Sequence, residues 1–342
     1  MKPTSSSAVS RNSRLKLGAI IVTLAVLIIL PLCIDSDYIK HLLIMTCIGA
    51  ILGMTFSMLY SSGLITLGAA AFYAVGAYTS TMLVTSLGLS FWAALPVTIV
   101  ISAVLSLGFG AIFVRNAGVA FVIITLIFVQ VIVIAAGQIE FLGGWGGIMN
   151  IPRPGSLGPV EFVSKRECYY LILMILLLII IIYNALYSSR IGRAWRAIKL
   201  SPNLAGTLGI NAYRYRLLAF VIGSTTAALA GSFYAHYFQN ITPGAFAGWL
   251  SIYVQLYAVL GGLEFYILGP AIGSLIMTFV PEYLRVVKEI EPIITGLLLL
   301  VIILFFPGGI LGTIKNPPDF SLQRFKSELS KIKIWKMQGG KR

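Results

Sequence analysis

Two histidines, His41 and His236, and three cysteines, Cys33, Cys47 and Cys168, are the side chains best suited to bind a metal, attack a carbonyl or shuttle a proton in this 342-residue chain. Their spacing does not support that chemistry. The histidines stand far apart in no H-E-x-x-H or comparable pattern, and the cysteines are odd in number with no metal-ligand spacing. Both types read as satisfied or buried structural residues, and no metal site is expected. Acid–base catalysis calls for paired carboxylates, and the apolar runs carry none. There is no G-x-S-x-G elbow and no G-x-x-x-x-G-K-[ST] phosphate loop. No catalytic residue, no cofactor held by this chain and no ATP hydrolysis by the chain alone are therefore expected. Glu264 is the one carboxylate close to membrane level. A lone desolvated carboxylate is costly unless protonated or paired. It reads as a loop residue at the boundary, a partner for a cytoplasmic arginine, or a transport residue.

The charges that do form a pattern are basic. The stretch "SSRIGRAWRAIKLSPNLAGTLGINAYRYR", 188–216, holds Arg190, Arg193, Arg196, Lys199, Arg214 and Arg216 with no acid among them. Ser201 suits a helix N-cap, Pro202 the first helical position, and Gly209 the left-handed position just past the end. A helix of about two turns is too short to persist alone in water, so it must dock on something. "GRAWRAIKL" before it is helix-compatible and reads as an extension of the preceding apolar run. The stretch fits a basic loop lying on anionic lipid, at about 1 kcal/mol per basic residue, or a helix offered to a cytoplasmic partner.

What positions these residues is almost entirely apolar. The chain is 58% hydrophobic and 11% charged, with a mean hydropathy of +0.94. Soluble domains carry about 25% charged residues. Ten segments, at about 17–34, 41–60, 63–86, 91–114, 118–137, 168–187, 217–240, 249–263, 267–281 and 292–307, approach or reach the ~18 residues expected of a transmembrane helix. The expected fold is an all-α integral membrane protein, a bundle of about ten spans with Gly-rich broken helices. The run 17–34 has no small-residue cleavage site after it and reads as a retained first helix. Cytoplasmic loops carry the excess of Lys and Arg. With the N-terminus inside, only Lys40, Arg153, Lys165, Arg166, Arg285 and Lys288 of the 25 fall outside. Both termini are therefore expected in the cytoplasm. The expected organisation is a cytoplasmic tail 1–16, a membrane domain 17–312 with the basic segment 188–216 inside and the loop 138–167 outside, and a basic tail 313–342. The net charge of +14 is then a topology signal, with contact to lipid and no nucleic-acid partner. The outer loop, with "FLGGWGGIMNIPRPGSLGP", is too rich in Gly and Pro for a long regular element. Two spans are unusual: "SSGLITLGAAAFYAVGAYTSTML" carries Gly63, Gly68 and Gly76, and "LYAVLGGLEFYILGPAIGSL" carries Gly261, Gly262, Gly269, Pro270 and Gly273. Such text allows close helix packing, or broken helices lining a path.

These two stretches, together with "GVAFVIITLIF", "GLLLLVIILFFPGGILG" and the basic segment running on through "LLAFVIGSTTAALAGSFYAHY", resemble the LivM-type permeases of branched-chain amino acid ABC importers. The resemblance covers roughly 40–313 in order. It implies a prokaryotic inner-membrane importer built from this chain, a sister LivH-type permease, two cytoplasmic ATPase subunits that hold the ATP and Mg, and an extracytoplasmic substrate-binding protein. It also implies a cytoplasmic coupling helix at about 201–209, with Arg193, Arg196, Ser201, Ala205 and Gly209 meeting the ATPase. The first Gly-rich span then offers Thr66, Phe72, Tyr73, Tyr78 and Thr79 to the translocation path, and the second Gly261 and Gly262. Departures concern the cargo and the grip on the ATPase. Ser201, Pro202 and Gly206 stand where the family usually has acids, Thr66 and Ala69 replace its usual serine and polar residue, and Glu264, Phe265 and Tyr266 replace small polar text. Urea or a short amide is the alternative cargo. A self-sufficient channel or secondary carrier, and less so a membrane enzyme, are the alternatives to an ABC permease.

Overall fold

Uncharged apolar runs leave the backbone one way to satisfy its own hydrogen bonds without water, which is to coil. The computed structural model describes residues 29, 31–32, 35–116, 118–156, 162, 164–284, 296 and 308–315. Every long apolar run within them is α-helical. In chain order these are α1 (Asp37–Ser61), α2 (Ala69–Thr85), α3 (Phe91–Phe113), α4 (Val119–Gln138), α5 (Lys165–Ser188), α6 (Arg190–Leu200), α7 (Pro202–Thr207), α8 (Ala212–Phe238), α9 (Gly248–Gly261), α10 (Leu268–Leu284) and α11 (Gly309–Lys315). No strand occurs among the described residues; Ile148 and Ile241 form an isolated bridge. α1, α3, α4, α5, α8 and the stretch Pro243–Gly261 are long and apolar enough to cross a membrane. α2 and α10 have 17 residues each, about 25 Å at 1.5 Å per residue. The expected segments 17–34 and 292–307 and both tails lie largely outside the described residues.

α1 is the axis of the bundle. Most of it is buried, and it packs against α5, α8, α9 and α10. Close crossings join α2 to α8 and α9 to α10, and small residues permit both. A Cβ on Gly76 would meet the backbone of Ala228, and one on Gly231 the carbonyl of Tyr73. Gly261 faces Gly269, and Gly273 faces Tyr257, in the same way. Some of the hydroxyls buried between helices bond one another across the crossing. Thr55 on α1 bonds Thr226 on α8 at 3.0 Å, and Tyr183 on α5 reaches the same Thr226 at 2.7 Å. α3 and α4 instead turn rows of branched aliphatics outward, Val100 and Val104 on one and Ile123, Ile127 and Val131 on the other. Such a surface suits lipid or another membrane subunit.

The described part of the loop after α4, 139–156, is irregular, as its Gly and Pro content requires. Single 3-10 turns at Glu140–Leu142 and Gly144–Gly146 are followed by extended chain. One expectation is corrected. The "GRAWRAIKL" segment does not continue the preceding span. α5 ends at Ser188, and the chain turns at Ser189, whose ψ of −179° is extended and whose hydroxyl accepts from the Ile191 amide. Gly192 makes the turn possible, because a Cβ there would run into the backbone of Tyr187. α6 starts in a new direction with its own cap.

Candidate functional site

The segment that begins at Ser189 is sharply two-faced. Gly192, Ala194, Trp195 and Ile198 are buried, and Arg190, Arg193 and Arg196 are exposed. Trp195 is fully buried, and its indole N–H donates to the Tyr215 carbonyl at 2.8 Å, fixing α6 to the start of α8. Arg193 and Arg196 fold back to donate to the carbonyls of Ser188 and Tyr187, at 3.4 and 3.2 Å. Cations at a helix C-terminus complement its dipole, so these two side chains cap α5 while their outer surfaces stay in solvent.

α7 follows without a gap. The Ser201 hydroxyl accepts from the Leu204 amide at 3.4 Å, and Pro202 takes the first position. The helix closes with Gly209 at φ +77°, its amide bonded to Gly206 and that of Ile210 to Ala205. These paired bonds are a Schellman end. Ala205 is buried on the rest of the fold, whereas Leu200, Leu204 and Leu208 are 88%, 67% and 78% exposed. Three leucines four residues apart make an apolar strip on the outer side of the α6–α7 arm, surrounded by arginines.

The arm rests on both irregular stretches. α1 ends with Gly63 at φ +80°, and a Cβ on Gly63 would lie 3.3 Å from the Lys199 Cα. The Lys199 ammonium sits 3.7 Å above the Tyr60 ring and 5.7 Å from that of Tyr266. Tyr266 stacks on Tyr187 at 4.9 Å. Burial pushes the Lys199 pKa down, and the carboxylate of Glu264, exposed in the turn between α9 and α10, opposes that shift. Arg216 donates to the Ser62 carbonyl at 3.3 Å. The basic arm, the break after α1 and the break after α9 therefore meet at one end of the bundle.

The first break, 62–68, enters α2 inside the bundle, where unpaired amides cost several kcal/mol. Neighbouring helices satisfy them. The Leu67 amide donates to Thr125 on α4, the Gly68 amide to Thr66, and the Ala70 amide to Ser251 on α9, at 3.1, 2.9 and 3.3 Å. Gln255 on α9 donates to the Thr66 carbonyl at 3.0 Å. The second break holds Gly261 against α10 and Gly262 at φ +115°. The remaining path candidates lie along α2. Phe72 packs on Phe128 and Phe220, and Tyr73 on Tyr234 and Phe246. Tyr78 and Thr79 line an apolar groove of ≈ 500 Å³ between α2, α3 and α4. The Tyr78 hydroxyl is buried there with no partner among the described residues. The structure thus brings Gly63 and Tyr266, one from each break, to the arm, bonds Thr66 to α9, and places Phe72 and Tyr73 in side-chain packing.

Several positions that shape this junction stand out only in three dimensions. Tyr60 and Tyr187 carried no motif, and Lys199 stood only as one cation of the basic stretch. Gln255 did leave a signal, as a lone amide inside an apolar run. His236 is buried and satisfied: it hydrogen-bonds Ser80 at 2.9 Å and the Pro152 carbonyl at 2.7 Å, tying the outer loop to α2 and α8. No group of three or more potential metal ligands occurs among the described residues.

Residues 38–307 match the family described as the permease component of branched-chain amino acid transport systems. The chain is 28% identical over 293 residues to the high-affinity branched-chain amino acid transport permease LivM of Salmonella typhimurium, covering 78% of this chain and 68% of that protein. The LivM protein of Escherichia coli is 27% identical over the same coverage. The LivH permease of Salmonella typhimurium is 38% identical over 130 residues, 36% of this chain and 40% of that protein. No solved structure matches the chain. The family match takes in α1 to α10, both breaks and the basic arm, and on that breadth the chain belongs to the family of branched-chain amino acid transport permease components.

Proposed function

We propose that the chain is the membrane permease subunit of an ATP-driven importer of branched-chain or related amino acids. The carrying observation is the family match across 38–307. The shorter match to LivH supports pairing with a sister permease of related sequence. In this reading two cytoplasmic ATPases hold the ATP and Mg, and an extracytoplasmic protein delivers the cargo. The bundle has about ten spans with both termini and 188–216 in the cytoplasm.

The arm is the element on which the ATPases act. Its exposed strip of Leu200, Leu204 and Leu208 offers an apolar knob to a groove, and Arg193 and Arg196 supply the charged rim. Ser201, Ala205 and Gly209 keep α7 short and capped. Because Lys199 binds the arm to Tyr60 and Tyr266, and Arg216 at the start of α8 binds Ser62, movement of α7 is transferred to both breaks at once. That is a two-state coupling through packed elements. Thr66, Gly261 and Gly262 sit where the backbone leaves the helix and would respond first, with Phe72, Tyr73, Tyr78 and Thr79 further along the same helix.

The test is uptake of radiolabelled leucine by cells expressing the chain with its neighbouring subunits, together with affinity purification. Two ATPases and a second permease are expected to co-purify. Gly209→Arg is expected to abolish uptake while the protein still inserts in the membrane. Normal uptake by a well-inserted Gly209→Arg protein would end the coupling reading. Leucine flux through the chain reconstituted alone would replace the ABC reading with a self-sufficient carrier. Accumulation of urea or a short amide, without leucine, would move the cargo to that class.

A further inference from the structure

α4 is the most apolar of the helices long enough to cross a membrane, yet it carries a polar side chain among the aliphatics it turns outward. Gln130 is exposed, and Ile127, Val131 and Ile134 are exposed beside it. It lies eight residues from the nearer end of α4, about 12 Å at 1.5 Å per residue. Its amide makes no hydrogen bond among the described residues. α9 begins against the same point: a Cβ on Gly248 would lie 3.3 Å from the Gln130 Nε2. The next residue, Trp249, is 75% exposed, and Ile252 and Tyr253, one turn further, are exposed as well. Neither the Trp249 indole N–H nor the Tyr253 hydroxyl has a hydrogen-bond partner among the described residues.

With α4 crossing the bilayer, three unpaired polar groups share one outward seam at a depth where lipid tails offer no hydrogen bond. A glutamine side chain is too short to reach the membrane surface from there. Water is held only where several polar groups converge, and Gln130 is flanked by branched aliphatics. The outward side of α3 has a different chemistry. Every exposed residue of α3 is apolar. Its hydroxyls, on Thr98, Ser102 and Ser106, are buried and donate to its own backbone. That side asks nothing of its surroundings that lipid tails cannot give, whereas the α4–α9 seam does.

We propose that the seam of Gln130, Trp249 and Tyr253 is the surface on which this chain meets its sister permease. Hydrogen-bonding side chains of that subunit take the Gln130 amide, the indole and the phenol at mid-membrane, while α3 faces lipid. A partner at this depth must itself span the membrane, as a permease of related sequence does. Trp and Tyr are enriched in the cores of protein interfaces. A lone amide in an aliphatic stripe draws membrane helices together and, as in coiled coils, fixes their register. This pairing rests on the importer reading above for the identity of the second subunit, and deepens it by naming the side that is covered.

The experiment puts photoreactive benzoyl-phenylalanine in place of Trp249 or, as control, of the exposed Val104 on α3. The full-length chain is co-expressed with an epitope-tagged second permease and with a differently tagged copy of itself. Illumination of native membranes is expected to join position 249, and not position 104, to the second permease. An adduct from position 104 that matches or exceeds the one from 249 would overturn the assignment. So would a probe at 249 that captures only lipid, its own chain or the second copy. Gln130→Leu gives an independent measurement. Association of the two purified permeases in lipid vesicles, read by energy transfer between labels, is expected to weaken about threefold, the worth of an average hydrogen bond between membrane helices. Thermal unfolding of the chain alone is expected to stay unchanged. Equal association of Gln130→Leu and wild type would mean that no partner group meets the amide, and the interface would fall. A second permease that never co-purifies with the chain ends the importer reading and this interface with it; one that co-purifies but cross-links through position 104 ends the interface alone.

Discussion

A glycine in a membrane helix can serve the backbone or its neighbour, and two positions separate the cases. At Gly76 a Cβ would run into the backbone of Ala228, where α2 crosses α8. At Gly108, exposed on α3, a Cβ meets nothing within 4 Å. Gly76→Val must therefore push α2 away from α8. Overpacking costs about 1–3 kcal/mol and occasionally more, and here the obstacle is main chain that cannot rotate aside. Gly108→Ala removes a flexible residue from a helix interior, which favours the folded state by about 0.5–1 kcal/mol. Thermal unfolding of the two variants in detergent should shift in opposite directions. If Gly76→Val melts with wild type, the α2–α8 crossing is looser than described.

The same contrast recurs within one short element. α7 contains Gly206 in its interior and Gly209 just past its end. Neither has an atom within 4 Å of an added Cβ, so backbone conformation alone sets the outcome. Gly206 is helical, and Gly206→Ala should strengthen the helix by about 1 kcal/mol. Gly209 has φ +77°, where an L-side chain costs about 1–2 kcal/mol, so Gly209→Ala should loosen the Schellman end. Hydrogen exchange of the amides of 204–210 reads both: slower in Gly206→Ala and faster in Gly209→Ala. A uniform response in the two variants would show that α7 is held by its docking rather than by its ends. This helix was legible in the sequence because caps are local; Ser201, Pro202 and Gly209 each do what their residue type does anywhere. The turn at Ser189 was not, since it depends on Gly192 meeting Tyr187, a contact that no periodicity reports. Gly-rich text was equally ambiguous: Gly63 and Gly262 break helices while Gly76 and Gly273 pack them, and the spacing of the letters is the same kind in both. The Lys199–Tyr60–Tyr266 junction joins residues from three distant stretches, which only the assembled bundle could reveal.

For the molecule as a whole, helix length bears on relative sidedness, and charge carries the orientation proposed above. α8 has 27 residues, about 40 Å at 1.5 Å per residue, and α5 has 24, about 36 Å. Both exceed the ~30 Å hydrocarbon core, so in the proposed arrangement the arm between α5 and α8 and the loop 138–156 that packs on the far end of α8 face opposite compartments. The bridge from Ile148 to Ile241 and the bond from His236 to Pro152 hold that loop against the far end. The proposal that the arm is cytoplasmic rests on Arg190, Arg193, Arg196, Lys199, Arg214 and Arg216 crowding one segment with no acid among them, because such a segment resists export. The prediction uses two exposed positions, Leu204 on the arm and Trp145 in the loop, each changed to Cys after replacement of Cys33, Cys47 and Cys168. A membrane-impermeant maleimide applied to intact cells with a permeable outer envelope should label Trp145→Cys at once. It should label Leu204→Cys only after the inner membrane is opened. If Leu204→Cys reacts in sealed cells, the arm faces outward and cannot meet an ATPase. If both positions react from one side, α8 does not cross at all, and the bundle would have to be redrawn from its longest helix.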